Sequence, residues 1–323
     1  MRPGPVPVFF RRVFLMALAL AASRLDALTI IPVFDSTITS DPNSAAIQSA
    51  INQTIATYQN TFSTPITVTI TFQGTNSGLG MSSKLVYGVT YSSFRTALQN
   101  SATTANDTLA LNSLPTGSLN PATGGSTMVL TGANLAALGY GGSYVSGGTI
   151  SLNTSLMNLN RTSIDPAKYD IFAIAAHEIN EVLGFGSAIG QSGLPGPLPQ
   201  DLFRFTSGGS RTFTTSGDDA YFSINGGSTQ LARFNQNGAG DYGDWWSLGG
   251  HTAGVQDAFG TAGATPNLGI EITALDVIGY TLVTAAVPEP AAVAAWMAAG
   301  ALGVAGWRRR RTARAASGAD RVH

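Results

Sequence analysis

His177, Glu178 and Glu181 fall within five consecutive residues of a 323-residue chain that contains only 3 His. If the segment is helical, His177 and Glu181 lie four apart on one face, and an imidazole nitrogen beside a carboxylate oxygen can grip a divalent cation. Glu178, one position on, would flank the same ion and is placed to act as general base toward water activated by it. The run Ala-Ile-Ala-Ala precedes these residues and Val-Leu-Gly-Phe-Gly follows Glu181. Charges inside so apolar a segment are costly unless they are paired or bind metal. The chain has no Cys, so a tightly bound metal has to use His, Asp, Glu or carbonyl oxygen, and no disulfide framework exists.

The element that must present the pair is a helix opened by Asp165-Pro166, running through Tyr169, Phe172 and Ile174 to Leu183 and stopped by a C-cap glycine, Gly184. Ahead of it, Ile47, Ile51, Ile55, Tyr58 and Phe62 recur every three or four residues after Asp41-Pro42, which predicts an amphipathic helix ended by Pro65. Ile66, Val68, Ile70 and Phe72 then alternate with threonines, the period-two pattern of a half-buried strand. Short helices are expected at residues 91–100 and 133–138 and a strand at 147–152. That strand, GGTISL, is a candidate sheet edge for an extended peptide. Beyond Gly184 the texture changes to Gly/Pro loops with short strands at residues 201–205, 211–214, 221–224 and 231–234, an Asn225-Gly226 turn, and a last helix at 272–278. The fold class is α+β, with an N-terminal α/β lobe over residues 28–184 and a loop- and β-rich C-terminal lobe over 185–286.

The ends read differently from the middle. Arg11 and Arg12 precede an apolar run, Val13 to Ala22, and small residues, the pattern of a secretory signal peptide over residues 1–27. At the other end Val287-Pro-Glu-Pro290 leads into an Ala/Gly-rich apolar stretch at 291–307 and a cluster from Arg308 to Arg311, which predicts a rigid spacer, a transmembrane helix and a cytoplasmic stop. Between them, residues 28–286 carry 7 Lys and Arg against 15 Asp and Glu, a net of −8. Nucleic acid is excluded as a partner on this balance, because phosphate contacts need clustered cations.

These motifs carry two resemblances. The segment from Pro288 to the arginine cluster, residues 287–323, resembles a PEP-CTERM sorting tail of Gram-negative bacteria. This implies export by signal peptidase, transient membrane anchoring, cleavage by an exosortase, and a cell-surface or extracellular-matrix location. HEINEVLGFGS resembles the active-site helix and turn of metzincins, HExxHxxGxx followed by a third ligand. That likeness implies a metzincin-like zincin fold, a Zn2+ cofactor and a protein or peptide substrate. It also implies that His177 and Glu181 are metal ligands and that Glu178 is catalytic. Glu181 stands where the family's second histidine is usual, and Ser187 where the third ligand often is.

Two residues compete for the third place. His251 is the only other histidine in residues 28–286, and leishmanolysin-like metzincins bring a third histidine from beyond a long insertion. Asp201 is the competitor, since related families use an aspartate after the turn. Gly240-Asp-Tyr-Gly-Asp244-Trp245, Val255-Gln-Asp-Ala-Phe259 and Ala274-Leu-Asp-Val-Ile-Gly-Tyr280 extend the likeness to PEP-CTERM-tailed metallopeptidases. In the last segment a tyrosine near the metal is known for such proteins, although no methionine reproduces the metzincin Met-turn. Asp218-Asp219 and the acids from Asp241 to Asp244 offer carboxylates to a structural Ca2+, without EF-hand spacing. The functional expectation is a zinc-dependent endopeptidase hydrolysing peptide bonds with metal-activated water. The alternative is a catalytically inactive matrix or adhesion protein on a degenerate metallopeptidase fold.

Overall fold

The computed structural model describes residues 27–283. The expected sorting tail, with its helix at 291–307, and the expected leader up to residue 26 lie outside the described residues. No helix among the described residues is long and apolar enough to cross a membrane.

The alternating segment folds as anticipated. After β1 (Thr29–Phe34), β2 (Thr67–Gly74) buries Val68, Ile70 and Phe72 and turns Thr67 and Thr69 outward. Next come β3 (Gly80–Lys84), β4 (Val86–Thr90), β5 (Thr127–Thr131) and β6 (Gly148–Leu152). The main sheet has the order β1-β2-β6-β3. β1, β2 and β6 run parallel, while β3 runs antiparallel to β6, pairing Gly80 with Leu152 and Lys84 with Gly148. The expected peptide-binding edge therefore moves. GGTISL forms β6, bonded on both sides, and the free edge on its flank is β3. Residues 80–84 escape period-two detection because Gly-Met-Ser-Ser-Lys carries almost no apolar alternation. β4 and β5 form a separate antiparallel pair.

The helices are α1 (Ser36–Thr39), α2 (Ser44–Thr61), α3 (Tyr91–Ser101), α4 (Ala105–Ser113) and α5 (Gly132–Ala137). α2 buries Ile47, Ile51, Ile55 and Tyr58, the anticipated stripe. Each such side chain taken from water is worth about 1.5–3 kcal/mol. α4 was not anticipated; its sequence has no apolar stripe, and its local signal is the capping box formed by Thr104 and Asp107.

Strands β7 (Met157–Asn158) and β8 (Tyr169–Asp170) pair in parallel just before α6 (Ile171–Leu183). The helix thus begins at Ile171, not at Asp165. Asn158 explains the difference: its Oδ1 accepts from the Asp165 amide at 2.9 Å, and its Nδ2 donates to the Asp165 and Lys168 carbonyls at 3.0 and 3.2 Å. That clamp holds residues 165–168 in a turn. Asp170 then caps the helix by accepting from the Phe172 amide.

In the C-terminal half, β9 (Arg204–Thr206), β10 (Ala220–Phe222) and β11 (Ala232–Arg233) form an antiparallel sheet in the order β11-β10-β9. The strand expected at 201–205 begins as a 3₁₀ turn, Pro199–Phe203, and 211–214 contributes only a bridge from Arg211 to Phe205. The last helix among the described residues is α7 (Ile270–Asp276). One hydrophobic core runs from Leu28 to Tyr280 and includes Leu183 and Phe185 on either side of the expected lobe boundary. Phe185, Phe222 and Phe234 all pack around Trp245, with ring centroids 5.2–5.6 Å away. The architecture is α+β.

Candidate metal centre

α6 ends where its sequence says it should. Gly184 adopts φ 116°, and its amide donates to Glu181 O while the Phe185 amide reaches back to Asn180 O at 2.9 Å. This is a Schellman closure, in which glycine avoids the cost of a left-handed residue. The chain turns sharply here, and His177, Glu178 and Glu181 on the last turns of α6 line a groove of about 960 Å³ together with residues of β3 and of the loop 240–244.

His177 points Nε2 into the site. Its Nδ1 lies 3.1 Å from Val255 O. A carbonyl can only accept, so Nδ1 carries a proton, and Nε2 is the nitrogen left to bind a metal once it gives up its own, the usual arrangement behind a ligating histidine. Nε2 lies 3.8 Å from Glu181 Oε1 and 3.5 Å from Asp244 Oδ2. Among the described residues, His177, Glu181 and Asp244 form the one group of metal-ligating side chains whose donor atoms all lie within 4.8 Å of one another.

Asp244 comes from a loop that the structure fixes tightly. Gly243 lies against the turn after α6 so closely that a Cβ on it would stand 2.7 Å from Gly186 Cα and from Ser187 N. Gln200 bridges the two backbones, accepting from the Gly186 amide at 2.7 Å and donating to Gly243 O at 2.9 Å. Arg204 donates to Tyr242 O at 3.0 Å. The Asp244 carboxylate is then oriented by Gln256, whose Nε2 donates to Oδ1 at 3.0 Å. Gln256 Oε1 in turn accepts from Asn180 Nδ2 at 2.8 Å, and Tyr58 OH donates to Asn180 Oδ1 at 2.6 Å. A buried polar chain thus links α2, α6 and the Asp244 loop, each member satisfied by the next.

Neither expected third ligand joins this group. His251 Nε2 bonds to Asp257 Oδ2 at 2.8 Å, and the same oxygen accepts from the Gly254 amide. Asp201 is buried and fully occupied: it accepts from Ser187 Oγ at 2.5 Å and from the Ala188 and Leu198 amides at 2.9 Å each. Ser187, at the position where a third ligand is usual, and Asp201 together lock the turn after α6 to the 3₁₀ segment. Tyr280 is a core residue, donating to Leu183 O at 2.7 Å. Asp219 of the acidic pair is tied to Arg233.

Glu181 divides its two oxygens. Oε1 faces His177, while Oε2 accepts from Ser82 Oγ and from Lys84 Nζ, the latter at 3.0 Å, both residues being on β3. Lys84 Nζ also bonds to Ser82 Oγ at 2.8 Å. Glu178 lies against the start of β3, where the missing side chain of Gly80 makes room: a Cβ there would fall 2.4 Å from Glu178 Oε1.

The electrostatics are those of a site short of positive charge. Burial opposes the charged form of His177, but Asp244, Glu178 and Glu181, with the Val255 carbonyl, outweigh it and raise its pKa from 6.5 to about 9. Burial raises Glu178 to about 8 and Asp244 to about 7, in both cases against the pull of His177. Burial also pushes Glu181 upward, yet Lys84, His177 and the Ser82 hydroxyl prevail and its pKa is lowered. Carboxylates and an imidazole so crowded retain a proton near neutrality, and a divalent cation is the natural replacement for it.

His177, Glu178 and Glu181 were legible from their spacing on one helix. Asp244, Ser82 and Lys84 were not assigned to the site from sequence. From sequence, Asp244 belongs to the Gly240-to-Trp245 motif and to the acids offered to a structural Ca2+, not to the His177 group. No family model, curated protein or solved structure matches the chain.

Proposed function

We propose that the chain is a zinc-dependent endopeptidase with His177, Glu181 and Asp244 as its metal ligands. The observation that carries this reading is the convergence of one imidazole nitrogen and two carboxylate oxygens on a single point of an open groove, with Glu178 beside them. The donor set suits the ion. Ligands about 2.0–2.2 Å from a tetrahedral zinc stand roughly 3.3–3.6 Å from one another, close to the 3.5 and 3.8 Å from His177 Nε2 to its two neighbours. Three protein ligands are the complement of a catalytic rather than a structural site.

Zinc held there supplies a Lewis acid that polarises the scissile carbonyl and acidifies water. The remaining work falls to the chain. Glu178, largely buried and flanking the ligands, is suited to take a proton from the attacking water and return it to the leaving amine. β3 offers free backbone donors and acceptors along the same groove, so an extended peptide adds to the sheet as a further strand and is held in line past Glu178. In this reading the domain is exported, and its PEP-CTERM-like tail is processed by an exosortase at the surface of a Gram-negative cell.

A second reading has its own observation. Lys84 and Ser82 already satisfy one oxygen of Glu181, as they would in a degenerate site that serves a matrix or adhesion protein without metal. Metal content by ICP-MS on the purified protein, alongside Glu181→Ala and Asp244→Ala and a casein digestion assay, separates the two. One zinc per chain, lost in both variants together with chelator-sensitive proteolysis, supports the peptidase. A folded wild-type protein with neither zinc nor proteolysis overturns it in favour of the matrix protein.

A further inference from the structure

Glu181 differs from a histidine ligand in two ways that matter to a metal: it brings a negative charge, and it can grip with two oxygens. Both differences are countered by the same pair of residues on β3. Ser82 Oγ and Lys84 Nζ donate to Oε2, leaving Oε1 as the oxygen that faces His177 Nε2 at 3.8 Å. The Lys84 side chain is 20 % exposed and that of Glu181 12 % exposed, so the ammonium lies where water screens it little. Lys84 is also the only Lys or Arg lining the groove, among the described residues.

We propose that Ser82 and Lys84 are positioning residues that make Glu181 behave as a histidine equivalent. They reserve Oε2, so that Glu181 serves the ion through one oxygen, and the ammonium cancels the charge that the carboxylate adds. This inference rests on the zinc reading above. Its chemical logic is that of an outer-shell partner setting the orientation and donor strength of a ligand. A ligand that took up a second coordination position would crowd the one a substrate or water needs.

The experiment is metal binding, not turnover alone. Lys84→Met and Ser82→Ala/Lys84→Met are compared with the wild type and with Lys84→Arg, which keeps both the charge and the donor. Zinc affinity is measured by competition with a fluorescent chelator, and the visible d–d spectrum is recorded after Co2+ substitution. In Lys84→Met the lost repulsion between the ammonium and the ion should tighten zinc binding by about tenfold, the size of a Coulomb interaction between nearby charges at a partly screened site. The cobalt absorption should weaken as Glu181 takes up a second position, further so in the double variant, while Lys84→Arg stays with the wild type. A wild-type protein that binds zinc, with affinity and cobalt spectrum unchanged in Lys84→Met and in the double variant, refutes the inference and leaves the peptidase reading standing. A wild-type protein that takes up neither ion refutes both.

Discussion

Gly243→Ala tests whether the packing of one loop sets the proposed metal site. The substituted methyl would stand 2.7 Å from Gly186 Cα, the Gly186 carbonyl carbon and Ser187 N. Carbon atoms in contact lie about 3.5–4.0 Å apart, so the two backbones must separate by about 1 Å. Neither can yield cheaply, because Gln200 ties Gly186 and Gly243 together at 2.7 and 2.9 Å. Asp244 is the next residue, and metal sites tolerate ligand displacements of only about 0.2 Å. The substitution should therefore weaken zinc binding by about 10–100-fold, similar to losing an orienting partner, and cost about 1–3 kcal/mol of stability from overpacking. Chelator competition gives the first number and urea unfolding of the metal-free protein the second. Gly243 does not occupy the left-handed region, so backbone conformation gives no separate reason for an effect. A folded Gly243→Ala protein that binds zinc with wild-type affinity refutes the argument that this contact delivers Asp244 to His177.

Three further outcomes are expected. His251→Ala should retain its zinc while Asp244→Asn loses it, as measured by ICP-MS; the reverse pattern would restore His251 as the third ligand. Asp201→Ala strands the Ala188 and Leu198 amides and the Ser187 hydroxyl, and should lower stability by about 2–4 kcal/mol in urea denaturation, each unsatisfied buried donor costing about 1–3 kcal/mol before water relieves some of them. The metal-free protein should lose stability as pH rises. His177, raised from 6.5 to about 9, contributes its stabilisation fully below pH 6.5 and loses it by pH 9. Glu178 and Asp244, raised to about 8 and 7, act with the same sign. Urea midpoints at pH 6, 7.5 and 9 in chelator should fall in that order, and a flat or rising series contradicts the charge balance drawn for the site.

The clustering of His177 and Glu181 on α6 is readable from the chain alone because it is local. A four-residue interval on a helix is enough to bring His177 and Glu181 to one face, and Gly184 marks where that helix must stop. The stripe of α2 and the alternation of β2 were equally legible, since each face repeats with the period of its own element. Tertiary contacts decide the rest. Asn158 clamps residues 165–168 and moves the start of α6 to Ile171. β3 was missed because its faces are polar and partly exposed, and with it went Ser82 and Lys84 and the identity of the sheet edge. The third member of the cluster, Asp244, lies furthest from the reach of sequence. Loops have no period, so spacing could not choose among His251, Asp201 and Asp244. Gln200, Arg204 and the close approach of Gly243 to Gly186 bring Asp244 to the site, while Asp257 and the turn after α6 occupy the other two. Those contacts join segments distant along the chain, and they come into existence only once the core has brought the segments together.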